Sequence, residues 1–450
     1  MVLTDKQRND LHSSIYEYLN TSGFTDVASS FAEQCNIPQT SIEKDDVQSS
    51  QTNSNQSSFS GVSLLEKKWL SVIRLQKKVL DLEGQVKRIS LSPSSQQASS
   101  SSSSSSSSFS SSSSSTNRLL PIDEPPPKEM KGHKGSGINC LALHPFQTTV
   151  CSAGEDATLK LWDWENANFE MSLKGHTAGI QAVAFNGDGN LLVSCSSDLS
   201  IKLWDGDKNY LCFRTLRGHD HNVSQILFMP NLIDNSKEEH ILSCSRDQTI
   251  KIWEISTGFC VHTFAGHDSW VRTIAVTSNG KLIASGGNDN NVVLYEVEGR
   301  KQGLTLRGHE HVIESVAFSP FAVGGSSGAS GGSEPSSVSP PTSPNALFLL
   351  ASASRDKTIR LWNSSTGEQI HVFTDHDNWV RSIAFHRSSK YILSVSDDRT
   401  LRIFDVKNRR CLKTFPNAGN HFVQSVAASL NMPVVVTAGV DNIVKVWNVR

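Results

Sequence analysis

One pattern recurs seven times in the last two thirds of this chain, and it limits the possible folds more than any other feature of the sequence. Each copy has a histidine and then an aspartate, with a hydroxyl four residues before the aspartate and an aromatic side chain six residues after it. The histidines are His133, His176, His219, His267, His309, His376 and His421. The aspartates are Asp156, Asp198, Asp247, Asp289, Asp356, Asp398 and Asp441. Successive aspartates are usually 42 or 43 residues apart, which indicates seven copies of one supersecondary unit.

The segments between these landmarks favour β-structure. Stretches such as 180–185 are short, alternating or apolar, and rich in β-formers, and Gly, Asn and Asp residues separate them. With the aromatic positions, these spacings resemble the WD40 repeat. The aromatic residues are Trp162, Trp204, Trp253, Tyr295, Trp362, Phe404 and Trp447. The resemblance implies an all-β, seven-bladed propeller with four strands per blade, in which the histidine, aspartate, hydroxyl and aromatic residues form a hydrogen-bond network.

The ends of the repeated region predict how the ring closes. The seventh repeat reaches Arg450 directly after its third strand, so we expect Lys128 to Lys131 to supply the fourth. Tyr295 and Phe404 stand where the pattern expects tryptophan, and repeat seven is the least regular. We expect weaker networks in these blades but intact sheets.

Composition excludes several classes of function. The 42 Lys and Arg residues nearly balance the 44 Asp and Glu residues, so no global charge favours nucleic acid. No segment approaches the length of a membrane span, and the N-terminus has no apolar signal region. The eight cysteines show no metal-ligand spacing, and most lie in apolar strand-like runs. We therefore expect an intracellular protein with no metal, no cofactor and no membrane insertion.

Composition also divides the chain into segments. We predict an N-terminal dimerisation hairpin, a polar linker, a coiled coil, a disordered Ser-rich tether and the propeller, whose fifth blade contains a disordered insert. The corresponding ranges are 1–40, 41–60, 61–90, 91–127, 128–450 and, for the insert, 321–345.

The first 40 residues have the pattern of two short helices. Leu11, Ile15 and Leu19 are spaced to lie on one helical face, and Phe31 belongs to a second helix that follows Gly23. Two helices of this length cannot form an adequate core alone, so they need a partner. Residues 7–39 resemble the LisH motif, a helical hairpin that dimerises.

A heptad pattern in residues 61–90 supports the same conclusion. Val72, Val79 and Val86 occupy one core position, and Leu75 and Leu82 occupy the other. This combination favours a parallel two-stranded coiled coil and therefore a homodimer with two propellers. The alternative is an amphipathic helix that folds back on the propeller.

The order of these parts resembles the lissencephaly-1 family. The resemblance rests on the N-terminal hairpin, on Leu-Leu-Glu-Lys-Lys-Trp at 64–69, and on propeller motifs at 218–223, 354–359 and 376–381. It implies a dimeric, non-catalytic protein that binds the motor domain of cytoplasmic dynein, acts with dynein cofactors and promotes minus-end-directed transport. Such proteins act in nuclear and spindle positioning and in cell division, in the cytoplasm, on microtubules and at the centrosome.

Two other binding functions stay open. The family also implies a role as the non-catalytic subunit of a platelet-activating-factor acetylhydrolase, which needs separate catalytic subunits. A propeller behind a LisH dimer is also compatible with a substrate receptor of a ubiquitin ligase. Direct catalysis by the repeated His, Asp and Ser residues is not expected, because a catalytic triad is one asymmetric constellation rather than seven equal copies.

The repeat register predicts the binding face. Residues just before the aspartates and just after the histidines lie on one side of the ring, and Arg beside Trp is typical of a protein-binding hot spot. The resemblance implies that the motor-binding residues are Arg246, Arg272, Arg355 and Trp379, with Trp270 and Arg381 matching in type and register. The alternatives are solvated or locally paired arginines and, for Trp379, packing between blades.

Overall fold

A computed structural model of the protein describes residues 128–135, 137–230, 239–322 and 348–448. The predicted hairpin (1–40), linker (41–60), coiled coil (61–90) and tether (91–127) lie outside the described residues. Nearly all of the predicted insert in the fifth blade does as well.

The described residues form 28 strands in seven four-stranded antiparallel sheets, which confirms the predicted seven-bladed propeller. Blades one to six are β2–β5, β6–β9, β10–β13, β14–β17, β18–β21 and β22–β25, and blade seven combines β26–β28 with β1. The strands of blade one and of the closing pair are β1 Lys128–Lys131, β2 Ile138–Leu143, β3 Thr149–Gly154, β4 Thr158–Asp163 and β5 Asn168–Lys174. Those of blades two and three are β6 Ile180–Phe185, β7 Leu191–Ser196, β8 Ser200–Asp205, β9 Leu211–Arg217, β10 Val223–Phe228, β11 His240–Ser245, β12 Ile250–Glu254 and β13 Cys260–Phe264.

The remaining strands follow the same order from the innermost to the outermost. Those of blades four and five are β14 Val271–Val276, β15 Leu282–Gly287, β16 Val292–Glu296, β17 Lys301–Leu306, β18 Ile313–Phe318, β19 Leu349–Ser354, β20 Ile359–Asn363 and β21 Gln369–Phe373. Those of blades six and seven are β22 Val380–Phe385, β23 Tyr391–Ser396, β24 Leu401–Asp405, β25 Arg410–Phe415, β26 Val423–Ala428, β27 Val434–Gly439 and β28 Ile443–Asn448. A short 3-10 helix, Gly206–Lys208, links β8 to β9.

The core consists of seven apolar layers, each between two neighbouring blades. In one of them Val193 and Leu203 of blade two pack with Ile226 and Trp253 of blade three. Second strands such as β3 are buried along their whole length because a blade covers each face, whereas most of the outermost strand β17 is exposed. No blade can therefore bury its faces without its neighbours.

The predicted hydrogen-bond network is present, and blade one shows its geometry. Ser152 Oγ lies 2.8 Å from both His133 Nε2 and Trp162 Nε1, and His133 Nδ1 lies 3.0 Å from Asp156 Oδ2. The Asp156 carboxylate can only accept, so His133 donates to it from Nδ1. Nε2 of the neutral ring then accepts from the Ser152 hydroxyl, which in turn accepts from the indole. The other oxygen of Asp156 accepts from the Thr158 amide and hydroxyl. One buried hydroxyl thus connects two strands to the loop that precedes the blade.

Blade seven corrects one of the sequence predictions. His421 is exposed, and Gly419 occupies the position of the network histidine. The Asn420 amide donates to Asp441 Oδ2 at 2.9 Å, as the residue after the histidine does in blade two, and Gly419 precedes Asp441 by the usual 22 residues. A Cβ at Gly419 would approach the His421 carbonyl oxygen to 2.8 Å, so the tight loop leaves no room for an imidazole.

The ring closes as predicted. β1 pairs with β28 along Lys128–Lys131, and Met130 is almost completely buried. On the side of the network loops, the Asn442 side chain accepts from the Gly137 amide at 3.0 Å and donates to the Gly135 carbonyl at 2.8 Å. Strand pairing and this amide clamp together join the two ends of the propeller.

Two buried histidines should make the stability of the propeller depend on pH. His144 Nδ1 accepts from the Phe146 and Gln147 amides, so the ring is neutral and its Nε2 donates to the Gly189 carbonyl in blade two. Burial lowers the pKa of His144 from 6.5 to about 4. As the pH falls below about 6.5, the unfolded chain takes up the proton before the folded one. The stabilisation is therefore complete above pH 6.5 and is lost towards pH 4.

We expect the free energy of unfolding to fall by about 2–3 kcal/mol over this range for each such histidine. His386, whose pKa burial also lowers to about 4, should behave in the same way. Urea unfolding of His144→Asn at several pH values should show a smaller loss between pH 6.5 and 4 than the wild type. The exposed His421→Asn is the control, and an unchanged pH profile in His144→Asn would contradict the assignment.

Candidate protein-binding face

The innermost strand of every blade carries a β-bulge at its second residue. In β14, for example, Val271 pairs with Gly287 and Thr273 with Gly286, so Arg272 has no partner in the ladder. A bulge re-aims the side chain of the extra residue. The seven bulged residues are Asn139, Gln181, Ser224, Arg272, Glu314, Arg381 and Gln424.

The residues that precede the network aspartates form a second set on the same face. Their backbone amides bond to the segment just before each innermost strand. The Asn288 amide donates to the Trp270 carbonyl at 2.9 Å, and the Asp397 amide donates to the Trp379 carbonyl at 3.0 Å. The seven residues are Glu155, Ser197, Arg246, Asn288, Arg355, Asp397 and Val440. The turn that contains the network aspartate thus holds each of them beside a bulged residue.

Contacts between the two sets continue from blade to blade. Asn139 donates to Glu155 Oε1 at 2.8 Å within blade one, and Gln181 of blade two reaches both Glu155 and Ser197. Blades one and two thus present neutral amides and a single carboxylate. The charged contacts lie in blades three to six.

Six predicted residues come together in those four blades. The guanidinium carbon of Arg246 lies 4.7 Å from the ring centroid of Trp270, and that of Arg355 lies 4.5 Å from the ring of Trp379. Arg381 approaches Trp379 to 4.9 Å. Each tryptophan therefore stacks with an arginine of the preceding blade, a favourable cation–π geometry.

The two stacks have the same construction. His221 lies 6.1 Å from Trp270, and His311 lies 6.4 Å from Trp379, measured between ring centroids. Trp270 is 38% exposed, and Trp379 is half-buried between guanidinium groups. Trp379 thus packs between blades five and six while keeping part of its ring at the surface. The packing between blades that was the alternative interpretation of Trp379 is therefore present, and its contact with a partner stays a prediction.

Glu314 connects the arginines, and the sequence analysis missed it. Its carboxylate bonds to Nε of Arg355 and lies 3.5 Å from Nη1 of both Arg272 and Arg381. The sequence does contain a signal for this residue. Glu314 occupies the same register position as Arg272 and Arg381, directly after the first residue of an innermost strand.

Arg272 and Arg381 are partly buried, and each has a polar partner besides Glu314. Arg272 Nε donates to Asn288 Oδ1 at 2.5 Å, and Arg381 makes two bonds of 2.9 and 2.8 Å to the Asp397 carboxylate. Burial lowers the pKa of Arg272, although Glu314 opposes this. Burial also disfavours the charge of Arg381, but the bonds to Asp397 outweigh it and raise its pKa. Both guanidinium groups stay charged at physiological pH.

This face carries a local excess of positive charge. Four guanidinium groups against the carboxylates of Glu314 and Asp397 leave a formal excess of two positive charges, in a chain whose net charge is −2. The described residues contain no cluster of His, Cys, Asp and Glu that could hold a metal ion. No helix among them is long and apolar enough to cross a bilayer.

Comparison with known proteins identifies the family. The family described as "WD domain, G-beta repeat" matches seven segments between residues 125 and 448, and the family "PAC1 LisH domain" matches 5–40. Nuclear distribution protein PAC1 of Coccidioides posadasii is 38% identical over 96% of this chain and 87% of its own. Nuclear distribution protein nudF of Aspergillus niger is 36% identical, with 94% and 89% covered. The chain belongs to the PAC1/nudF family, which is the lissencephaly-1 family.

Membership in the PAC1/nudF family confirms the resemblance drawn from the sequence. The LisH match at 5–40 includes the predicted 7–39. Each of the seven repeat matches covers the outermost strand of one blade and the first three strands of the next, so together they span the whole ring. PAC1 of Arthroderma otae aligns over 94% of this chain at 35% identity and 87% of its own length. The family likeness therefore extends over both the N-terminal LisH segment and the propeller.

Proposed function

We propose that this protein is a non-enzymatic regulator of cytoplasmic dynein that acts in nuclear positioning, and that the arginine–tryptophan face of its propeller binds the dynein motor domain. The observation that carries the proposal is the concentration of two Arg–Trp stacks and four arginines on one face. The relatives are named nuclear distribution proteins, which supports the biological setting.

The geometry suits a hot spot for a protein partner. Stacking and ion pairs restrict the rotamers of the arginines before binding, so less conformational entropy is lost when a partner docks. The side chains of three of them are only about one fifth exposed: 22% for Arg272, 19% for Arg355 and 21% for Arg381. Charge-assisted bonds to such partly desolvated groups are stronger than bonds to fully solvated ones.

The hydrogen-bond networks support a non-enzymatic role. Ser152 and Ser194 are completely buried, and each hydroxyl is held between an imidazole and an indole. A substrate could not reach these oxygens without the blade coming apart. The His–Ser–Asp sets therefore hold the blades together, and binding is left to the face above them.

The rest of the proposal concerns assembly and place of action. The protein is a homodimer through its LisH hairpin and coiled coil, so each particle presents two propellers to dynein. It promotes minus-end-directed transport, spindle positioning and cell division, and acts in the cytoplasm on microtubules and at the centrosome, together with dynein cofactors. The family match at 5–40 supports the dimer.

A double substitution tests the binding face. Arg355→Glu combined with Trp379→Ala reverses one charge and removes one stack, so we expect affinity for a purified dynein motor domain to fall at least about 100-fold. The matched control is Lys301→Glu with Phe259→Ala, two exposed residues near the outer edge of the propeller. Equal affinity of the two double variants, measured by biolayer interferometry, would exclude this face.

The same variants separate the alternative functions. Recovery of dynein heavy chain from cell extract by the wild type, but not by the Arg355/Trp379 variant, supports the proposal. Recovery of acetylhydrolase catalytic subunits or of cullin and RING subunits instead would favour one of the two other binding roles.

A truncation tests the proposed dimer. Removing residues 1–90 deletes the predicted hairpin and coiled coil, and we expect a monomeric propeller by multi-angle light scattering. The full-length chain is the reference and should have the mass of two copies. A truncated protein that stays dimeric would show that the dimer contacts lie in the propeller.

A further inference from the structure

Glu314 stands out because one carboxylate contacts arginines from three blades. Its partners are Arg272 of blade four, Arg355 of its own blade and Arg381 of blade six. The Glu314 side chain is only 11% exposed, so it is less accessible than any of these arginines. A group so placed is poorly available to a partner, but it controls the orientation of three groups that are better exposed.

Arg355 depends on Glu314 more than the other two arginines do. Arg272 has a second partner in Asn288, and Arg381 has one in Asp397. Among the described residues, Glu314 is the only hydrogen-bond partner of the Arg355 side chain, and the bond uses Nε. The two Nη groups are therefore free to form a two-pronged contact with a partner carboxylate.

Blade three provides an internal comparison. Arg246 stacks on Trp270 as Arg355 stacks on Trp379, but the bulged residue of blade three is Ser224 instead of a glutamate. Within the described part of the chain, the Arg246 side chain has no hydrogen bond or ion pair. The same stack thus occurs once with a buried carboxylate beneath it and once without.

From this contrast we infer that Glu314 is a positioning residue of the binding face. It holds Arg355 over Trp379 with its Nη groups outward, and its charge keeps the arginine cluster from attracting polyanions indiscriminately. The inference rests on the proposed function for its partner, the dynein motor domain. The positioning itself is a property of the free propeller and can be measured without a partner.

The first test measures the energetic coupling between Glu314 and Arg355 in the free protein. Glu314→Gln leaves three guanidinium groups without their shared carboxylate, so we expect the melting temperature to fall by about 1–3 °C. In an Arg355→Met background the fall should be at most half as large, because one of the repelling charges is gone. The control cycle, Ser224→Ala with Arg246→Met, should be additive. Additive shifts at Glu314 and Arg355 would overturn the positioning role.

Selectivity is the second test, with a heparin column as the polyanion probe. Glu314→Gln should elute at higher NaCl concentration than the wild type, and Glu314→Asp should elute with the wild type because it keeps the charge. If Glu314→Gln also elutes with the wild type, Glu314 does not restrain polyanion binding.

Motor-domain affinity is the third test. We expect Glu314→Gln to weaken binding about tenfold and to have no further effect in the Arg355→Met background, whereas the outer-edge variant Lys301→Glu leaves affinity unchanged. Glu314→Asp, which keeps the charge on a shorter side chain, should lie between wild type and Glu314→Gln. Equal losses in both backgrounds would contradict action through Arg355. A wild type that does not bind the motor domain would refute the proposed function, while the first two tests would still decide the role of Glu314.

Discussion

The buried hydroxyl on the second strand of each blade is the contact on which the rest of the propeller depends. In blade one, Ser152 Oγ accepts from the Trp162 indole and donates to His133, which in turn holds Asp156. Asp156 fixes the turn between the second and third strands through bonds from Thr158. Buried polar groups must be paired, so the four side chains can satisfy all their hydrogen bonds in only one arrangement. The residue before the aspartate therefore reaches the face at a defined place.

The networks vary, and the fold tolerates it because each blade is also held by apolar packing. Tyr295 in blade four and Phe404 in blade six replace the indole, yet both are almost completely buried in their layers. Blade seven has lost its histidine but keeps the bond from Trp447 to Thr437 at 3.0 Å. It gains closure contacts that no other blade has, among them the Asn442 clamp.

These facts explain how far the sequence could predict the structure. Hydroxyl, aspartate and aromatic positions follow from fixed distances within a hairpin, so the blades and the closing strand at Lys128–Lys131 were predictable. The histidine belongs to the preceding loop, whose length varies. The prediction at His421 was wrong because it followed the residue type, histidine, and not the usual spacing of 22 residues to the aspartate, which Gly419 satisfies. Glu314 shares its register position with Arg272 and Arg381, but it was missed because its carboxylate does not fit the arginine–tryptophan pattern from which the face was predicted.

The asymmetry of the proposed binding face follows from this difference in constraint. Network positions must serve the same structural purpose in all blades, whereas a bulged residue or a residue before an aspartate only has to fit its immediate neighbours. Such positions are free to differ, and here blades one and two present mainly neutral polar groups while blades three to six present the arginines and their tryptophans. A nearly seven-fold scaffold thus presents one asymmetric site. Arg355 bonds to Glu314 whereas Arg246 has a serine at the corresponding bulge, so two stacks built from the same pair of residue types differ in their surroundings.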